Sequence, residues 1–293
     1  MRTASLAIDI GGTKIAYGIV PDDAPDTVLG EGRVPSLARE GRTLDQLAVA
    51  VGRALETPGV DLVRAGVGCP GVVRDGEITY NGDTVPGWAG SDVAGTVERL
   101  AGVPVACHND VRVWAFGEHR LGAGRGMSGR VYYLSLGTGV GGAIVDTHRL
   151  LPGPTGSAGE SANLVCADLD GRAVRCEDAV SGPGLARYYN ERAGTDLTLP
   201  EIIGRDDAAA VIDGNLTGFG HAVGTLVTLL DLSAVVLGGG VGSLGELIRA
   251  PFTRGLRTGA LSIQSDVPVL TTTLGPAAPL IAAAEYARAE GAS

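Results

Sequence analysis

Lysine is almost absent from this chain. Of 23 basic residues only Lys14 is a lysine, and arginine stands at every other basic position. We read this as compositional bias, although the one lysine falls inside the most motif-like segment. Long apolar runs are also lacking: none reaches the ~18–20 residues that span a bilayer, which excludes a transmembrane helix. Basic residues are outnumbered, and the formal charge of −10 argues against nucleic acid and against an anionic membrane surface. The four cysteines, Cys69, Cys107, Cys166 and Cys176, are scattered without a CxxC pair. Cys69 and Cys107 read as small core residues, and a reducing cytoplasm is the simplest setting. The opening Met-Arg-Thr-Ala-Ser-Leu has no cleavage-site pattern and is not read as a secretory signal. What is present is 293 residues, 44% hydrophobic and 19% charged. That describes a globular protein with room for two domains.

Residues 6–20, LAIDIGGTKIAYGIV, alternate apolar and small or polar residues on either side of Gly11-Gly12. The pattern predicts a hairpin. Glycines there let backbone N–H groups point at an anion, with Thr13 adding a hydroxyl. Asp9, beside the turn, is placed to hold hydrated Mg²⁺ next to phosphates; an ordinary hairpin with Asp9 on its polar side is the alternative. Helical spacing covers 44–55, and 62–68 reads as a strand entering Cys69-Pro70-Gly71. The loop 80–88, YNGDTVPGW, offers Asn81 and Asp83 to a polar ligand, though turn chemistry accounts for them equally well. Ser91 reads as the cap of a helix over 92–100.

A strand over 103–107 then delivers Asn109-Asp110 to its C-terminal tip, where ligands collect in α/β proteins. Such a pair is more often only a turn or a cap. With a helix over 111–121, however, Asp110 sits near a positive helix N-terminus, which favours the ionised form a general base needs. Residues 131–145, VYYLSLGTGVGGAIV, repeat the first hairpin at a shift of 126 positions, aligning Ile10 with Leu136 and Gly11 with Gly137. A strand–glycine turn–strand unit in each half implies two similar lobes around a cleft, unless two unrelated hairpins agree by chance. Further on, 177–180 and 213–230 read as helical and 234–237 as a strand. Gly238-Gly239-Gly240 follows, a turn that can admit a flat base and ribose. A last strand is expected over 267–274 and a closing helix over 279–290.

In this order, DIGGTK (9–14), CPGVVRDG (69–76), NGDTVPGW (81–88), ND (109–110), GEHRLGAGRG (117–126), LGTGVGG (136–142), GSAGE (156–160) and VLGGGV (236–241) resemble the ROK family of sugar kinases. The resemblance covers nearly the whole chain. It implies an α/β, two-lobed actin-like ATPase (ribonuclease H-like) fold with the active site in the interlobe cleft. The N-terminal lobe would be 1–110, completed by helix 278–293, and the C-terminal lobe 111–277. It also implies ATP and Mg²⁺ as cofactors, a homodimer, and transfer of the γ-phosphoryl group to a sugar hydroxyl, usually the 6-OH. Asp110 would take the hydroxyl proton. Asp9 would bind Mg²⁺ through water, while Gly12, Thr13, Lys14, Thr138 and Gly139, with Gly11 and Gly137 in the same turns, would cradle phosphates. Asn81, Asn109, Glu160 and Glu177 would hydrogen-bond the sugar, and Gly239 and Gly240 would flank the nucleoside.

The departures from the family are specific. After Gly159-Glu160 the family places Ile-Gly-His; here Ser161-Ala162-Asn163 follows, so Asn163 occupies the position of a His that binds sugar and zinc. The CxCGxxGC zinc cluster is missing, and Cys176 survives out of register. Zn²⁺ needs four such soft ligands, so no structural zinc is expected. His108, His119, His148 and His221 show no ligand spacing and read as structural or surface residues. Asn163 would alter recognition of the sugar. Zinc-less family members act on other sugars, including amino sugars of secondary metabolism. A pocket with Asp110, Glu160 and Glu177 would suit an ammonium group, as on kanosamine (3-amino-3-deoxyglucose). A glucose kinase uses the same carboxylates as acceptors, so charge pattern leaves glucose open. A catalytically silent sugar-binding regulator is the runner-up. A repressor would carry a helix-turn-helix before the first hairpin, where about eight residues precede Asp9, and a dinucleotide fingerprint would open a helix, not a strand.

Overall fold

The computed structural model describes residues 1–74, 76–81, 85–151 and 153–291. Asp83, one of the two loop residues singled out for a polar ligand, lies outside the described residues. The chain divides into two compact units. The first holds 1–125, the loop 153–157 and the segment from Thr273 onward; the second holds 126–151 and 158–272.

In the first unit, β1 (Arg2–Ile10) pairs antiparallel with β2 (Lys14–Pro21), and β2 with β3 (Leu29–Pro35). On its other side β1 runs parallel to β4 (Val60–Cys69), and β4 to β7 (Val105–Asn109). A small hairpin, β5 (Val72–Arg74) with β6 (Glu77–Tyr80), follows β4. The middle of β1 is buried from Ala4 to Ile8, as expected of a strand covered on both faces. Helices α1 (Thr43–Leu55) and α2 (Val93–Ala101) pack with the sheet, as do α3 (Asp110–Leu121) and the C-terminal helix α10 (Ala278–Glu290). Gly66 is why α10 can lie so close: a Cβ there would stand 1.8 Å from the Ala283 carbonyl oxygen.

The division falls after Arg125, not between 110 and 111, because α3 packs on α10. A Cβ on Gly117 would meet Ala282 at 2.3 Å. The fully buried Glu118 carboxylate also accepts from the N–H groups of Ala123, Thr273 and Leu274. Those last two bonds also explain why the expected strand over 267–274 stops early.

The second unit repeats the pattern. Strand β8 (Arg130–Leu136) pairs antiparallel with β9 (Val140–Asp146), which pairs with β10 (Arg149–Leu150). Parallel to β8 runs β13 (Leu232–Gly238), then β14 (Val269–Thr271). Each unit therefore has a sheet with three antiparallel strands and two parallel ones in matching order. A second hairpin, β11 (Val165–Ala167) with β12 (Ala173–Arg175), leads into α4 (Cys176–Val180), α5 (Gly182–Ala193) and α6 (Leu199–Ile202). Helices α7 (Ala209–Leu230) and α9 (Glu246–Gly259) cross through glycines, with the short α8 (Gly239–Gly242) between β13 and α9. Among the described residues no helix is long and apolar enough to cross a membrane.

Candidate active site

In the first unit β1 carries Asp9 opposite Ala16 on one neighbour and Gly68 on the other. A Cβ at Gly68 would lie 3.5 Å from Asp9 Oδ1 and 3.3 Å from Asp110 Cα. This bare glycine lets both aspartates stand over the same point at the end of β4. Burial pushes the Asp9 carboxyl up to about 6, against the pull of Lys14. The turn between β1 and β2 is closed by Gly11 N–H to Lys14 O at 2.9 Å. It is also pinned from outside, because the buried Ser36 donates its N–H to Thr13 O and its hydroxyl to Gly12 O at 2.7 Å. Ser36 had no motif to announce it.

Strand β7 runs into α3 without a loop, so Asn109 is both the last strand residue and the helix N-cap. Its Oδ1 accepts from Arg112 N–H at 3.2 Å. Its Nδ2 donates to Asp110 Oδ1 and to Gly71 O, both at 3.0 Å. Asp110 Oδ1 also accepts its neighbour's N–H, from Val111 at 2.9 Å. The carboxylate is thereby oriented by two donors at a helix start. Gly71, at φ +96°, stands 3.4 Å (from an added Cβ) from Asn81 Oδ1. Asn81 donates Nδ2 to Val85 O at 2.6 Å, while among the described residues its buried Oδ1 has no hydrogen-bond partner. Gly68 and Gly71 thus gather Asp9, Asn81, Asn109 and Asp110. Gly71 was visible in the motif at 69–76; the role of Gly68 was not, because it depends on β4 lying between β1 and β7.

Beside this group, His108 accepts the Asn109 N–H on Nδ1 at 2.8 Å. Burial, then the neighbouring Arg112 guanidinium, lowers its pKa to about 4. Cys69 and Cys107 are free thiols 3.6 Å apart, and Cys69 is buried.

The titrations of Asp9 and His108 oppose each other. Folded Asp9 holds its proton more tightly than the unfolded chain (about 6 against 3.8), so its contribution to stability falls as pH rises through that window. Folded His108 holds its proton less tightly (about 4 against 6.5), so stability is lost as pH falls from 6.5. The shifts are similar in size, and their sum is expected to be nearly level between pH 6.5 and 4 in the absence of ligands. Asp9→Asn is expected to uncover the His108 slope, losing on the order of 2–3 kcal/mol across the window. Urea unfolding at stepped pH checks this; an Asp9→Asn profile as level as the parent's would count against it.

In the second unit, Gly137-Thr138-Gly139 joins β8 to β9. Leu136 pairs with Val140, whereas Ile10 pairs with Ile15 in the first hairpin. The second turn is one residue shorter, so the repeat is one of strands and not of turn geometry. Gly137 N–H bonds Gly139 O at 2.9 Å, and Gly182 N–H bonds Gly137 O at 2.8 Å. Gly239 adopts φ +79°, and a Cβ there would meet Leu136 O at 2.3 Å. It closes the end of β8, while the space beside Gly240 is open.

Glu160 follows Gly159, whose carbonyl accepts the Tyr132 hydroxyl at 2.9 Å. Its own Oε1 accepts from Ser161 and Ala162 N–H, and Asn163 just beyond is exposed. Glu177, expected at the sugar, sends Oε2 to Val140 N–H at 3.0 Å and Oε1 to Arg175 at 3.1 Å. The β11–β12 hairpin is organised by Asp168. This buried carboxylate accepts from Asp170 and Arg172 N–H and from the Tyr188 hydroxyl, at 2.8–2.9 Å. Burial works to raise its pKa, but these donors outweigh it and hold the carboxyl below its usual range. Among the described residues no three of His, Cys, Asp or Glu are grouped to hold a metal.

The ROK family profile matches residues 5–290. The chain belongs to the ROK family. A glucokinase from Streptomyces coelicolor is 30% identical to it over 97% of each chain. The N-acetylgalactosamine kinase AgaK of a Shewanella species is 32% identical over 83% of each. In structure, this ROK protein is similar to a ROK family glucokinase from Streptomyces griseus solved with glucose and AMPPNP. The TM-score is 0.82, with 29% identity over 98% of this chain and 99% of that one. The fold is accordingly the two-lobed actin-like ATPase fold.

Proposed function

We propose that this chain is an ATP-dependent kinase that transfers the γ-phosphoryl group to the 6-hydroxyl of a hexose or amino-hexose. The observation that carries the reading is the placement of Asp110 and Asp9 over Gly68, near the Asn81 Oδ1 that is buried and, among the described residues, unpartnered. An oriented carboxylate suits the removal of a hydroxyl proton as the O–P bond forms and ADP departs. A buried acceptor without a donor suits a sugar hydroxyl. Partly buried Asp9, with Ala16 and Gly68 beside it on the neighbouring strands and Lys14 on the same turn, fits a cation held through water. Bound there, Mg²⁺ would neutralise charge on the phosphates. Each glycine turn offers backbone amides of the kind that suit a phosphate, and Gly240 leaves open space that suits a nucleoside.

Curated relatives named for glucose and for N-acetylhexosamines bracket the substrate class. Within it we favour kanosamine or glucose, since Asn163 replaces the family His and the acceptors Asp110 and Glu160 are acidic. A coupled ADP-release assay across glucose, kanosamine, glucosamine, mannose, N-acetylglucosamine and N-acetylmannosamine tests this. A clear kanosamine preference would mark a specialised pocket, and a clear glucose preference a tolerated loss of the family His. No turnover with any sugar would favour the silent regulator. In the same assay Asn81→Ala is expected to raise the sugar KM about two- to tenfold, from the ~0.5–1.5 kcal/mol of one neutral hydrogen bond. The ATP KM should stay within about twofold by the same logic. A larger change in the ATP term would sink the assignment of Asn81 to the sugar.

A further inference from the structure

The contacts of Glu177 reach both halves of the second unit's chemistry. Its Oε2 accepts the N–H of Val140, the residue that ends the Gly137-Thr138-Gly139 turn, at 3.0 Å. The turn presses against this oxygen: a Cβ on Gly139 would stand 2.7 Å from it. From the other side Gly182, at the corner where α4 gives way to α5, donates its N–H to Gly137 O. The backbone N–H of Glu177 bonds Ala162 O at 3.4 Å, inside the segment that runs from Glu160 to Asn163. Arg175 pairs with the remaining oxygen at 3.1 Å and offsets a negative charge that would otherwise stand beside an anion-receiving turn.

We propose that Glu177 is a positioning residue for the second phosphate turn. Its carboxylate holds Val140 N–H and so fixes the turn in the form that receives the nucleotide, while its backbone ties that turn to the Glu160–Asn163 segment. This rests on the kinase reading above. A Glu177 that only met sugar would leave nucleotide binding in the absence of sugar untouched. The turn position predicts the reverse, because the N–H of Val140 needs an acceptor whether or not sugar is present.

The test is calorimetric titration of the full chain with ADP and Mg²⁺, without sugar, for the parent, Glu177→Ala and Glu177→Gln. Alanine removes the acceptor and is expected to weaken ADP about tenfold or more. Glutamine keeps an oxygen for Val140 and is expected to stay within about threefold, with circular dichroism confirming that it folds. If Glu177→Gln weakens ADP as much as Glu177→Ala, the bond to Val140 is not what holds the turn. If both bind like the parent while the sugar KM rises, Glu177 is a sugar ligand only. Either result overturns the proposal. Parent turnover in the sugar panel separates this from the kinase reading, which fails only if the parent itself transfers no phosphoryl group.

Discussion

Asp110→Asn is expected to lower kcat by about 10³-fold, with the thermal unfolding midpoint and both KM values close to those of the parent. The amide matches the carboxylate in shape. Its oxygen can still accept from Val111 N–H and Asn109 Nδ2, bonds that orient the native side chain. The cap on α3 is supplied by Asn109 and is untouched. What disappears is the site proposed to take the hydroxyl proton, and general-base catalysis is typically worth ~10²–10⁴ in rate. A factor of 10³ is roughly 4 kcal/mol of transition-state stabilisation. Single-turnover kinetics at saturating sugar and ATP would measure it. A loss under tenfold would remove Asp110 from the base role and leave positioning and charge to do the chemistry.

Gly220→Ala or Gly255→Ala is expected to destabilise the second unit by about 3 kcal/mol or more. Helix propensity by itself predicts the opposite sign, since alanine is favoured over glycine by ~1 kcal/mol in a helix interior. The helix crossing decides. A Cβ on Gly220 would lie 2.0 Å from Phe252 O, and one on Gly255 2.0 Å from Thr217 O. Both obstacles are backbone carbonyls of the facing helix, so no rotamer change can relieve them, and α7 and α9 would have to separate. Gly52 in α1 is the internal control. It is exposed, an added Cβ meets none of the described residues within 4 Å, and Gly52→Ala is expected to gain ~0.5–1 kcal/mol. Urea unfolding of the three variants checks both signs; equal effects at Gly220 and Gly52 would mean the crossing is looser than described.

Local chemistry placed most elements within a few residues, and the exceptions have identifiable causes. The strand expected over 103–107 forms at Val105–Asn109: Pro104 has no N–H to donate, and its carbonyl accepts Ala65 N–H in the bond that opens the ladder between β4 and β7. Ser91 was the expected cap of α2, yet Asp92 performs it, accepting from Gly95 N–H at 2.8 Å. Both are good cap residues; Ser91 is engaged elsewhere, its carbonyl receiving Ile78 N–H from β6.

The sequence by itself determined the two glycine hairpins, their duplication, and Asp9 and Asn109-Asp110 at strand ends. Each of these is written in neighbouring residues, as alternation, turn chemistry or a cap. Only the tertiary structure decided that Gly68 lets two aspartates meet, that Ser36 pins the first turn and that α7 and α9 touch through glycine. It also decided that Glu177 accepts the N–H of Val140, at the end of the second turn, and that a buried Asp168 organises the β11–β12 hairpin. These depend on which strands and helices become neighbours, a property of sheet order and helix crossing. A glycine that admits a facing backbone reads in sequence like one that merely turns, because the atom that needs the space lies far along the chain.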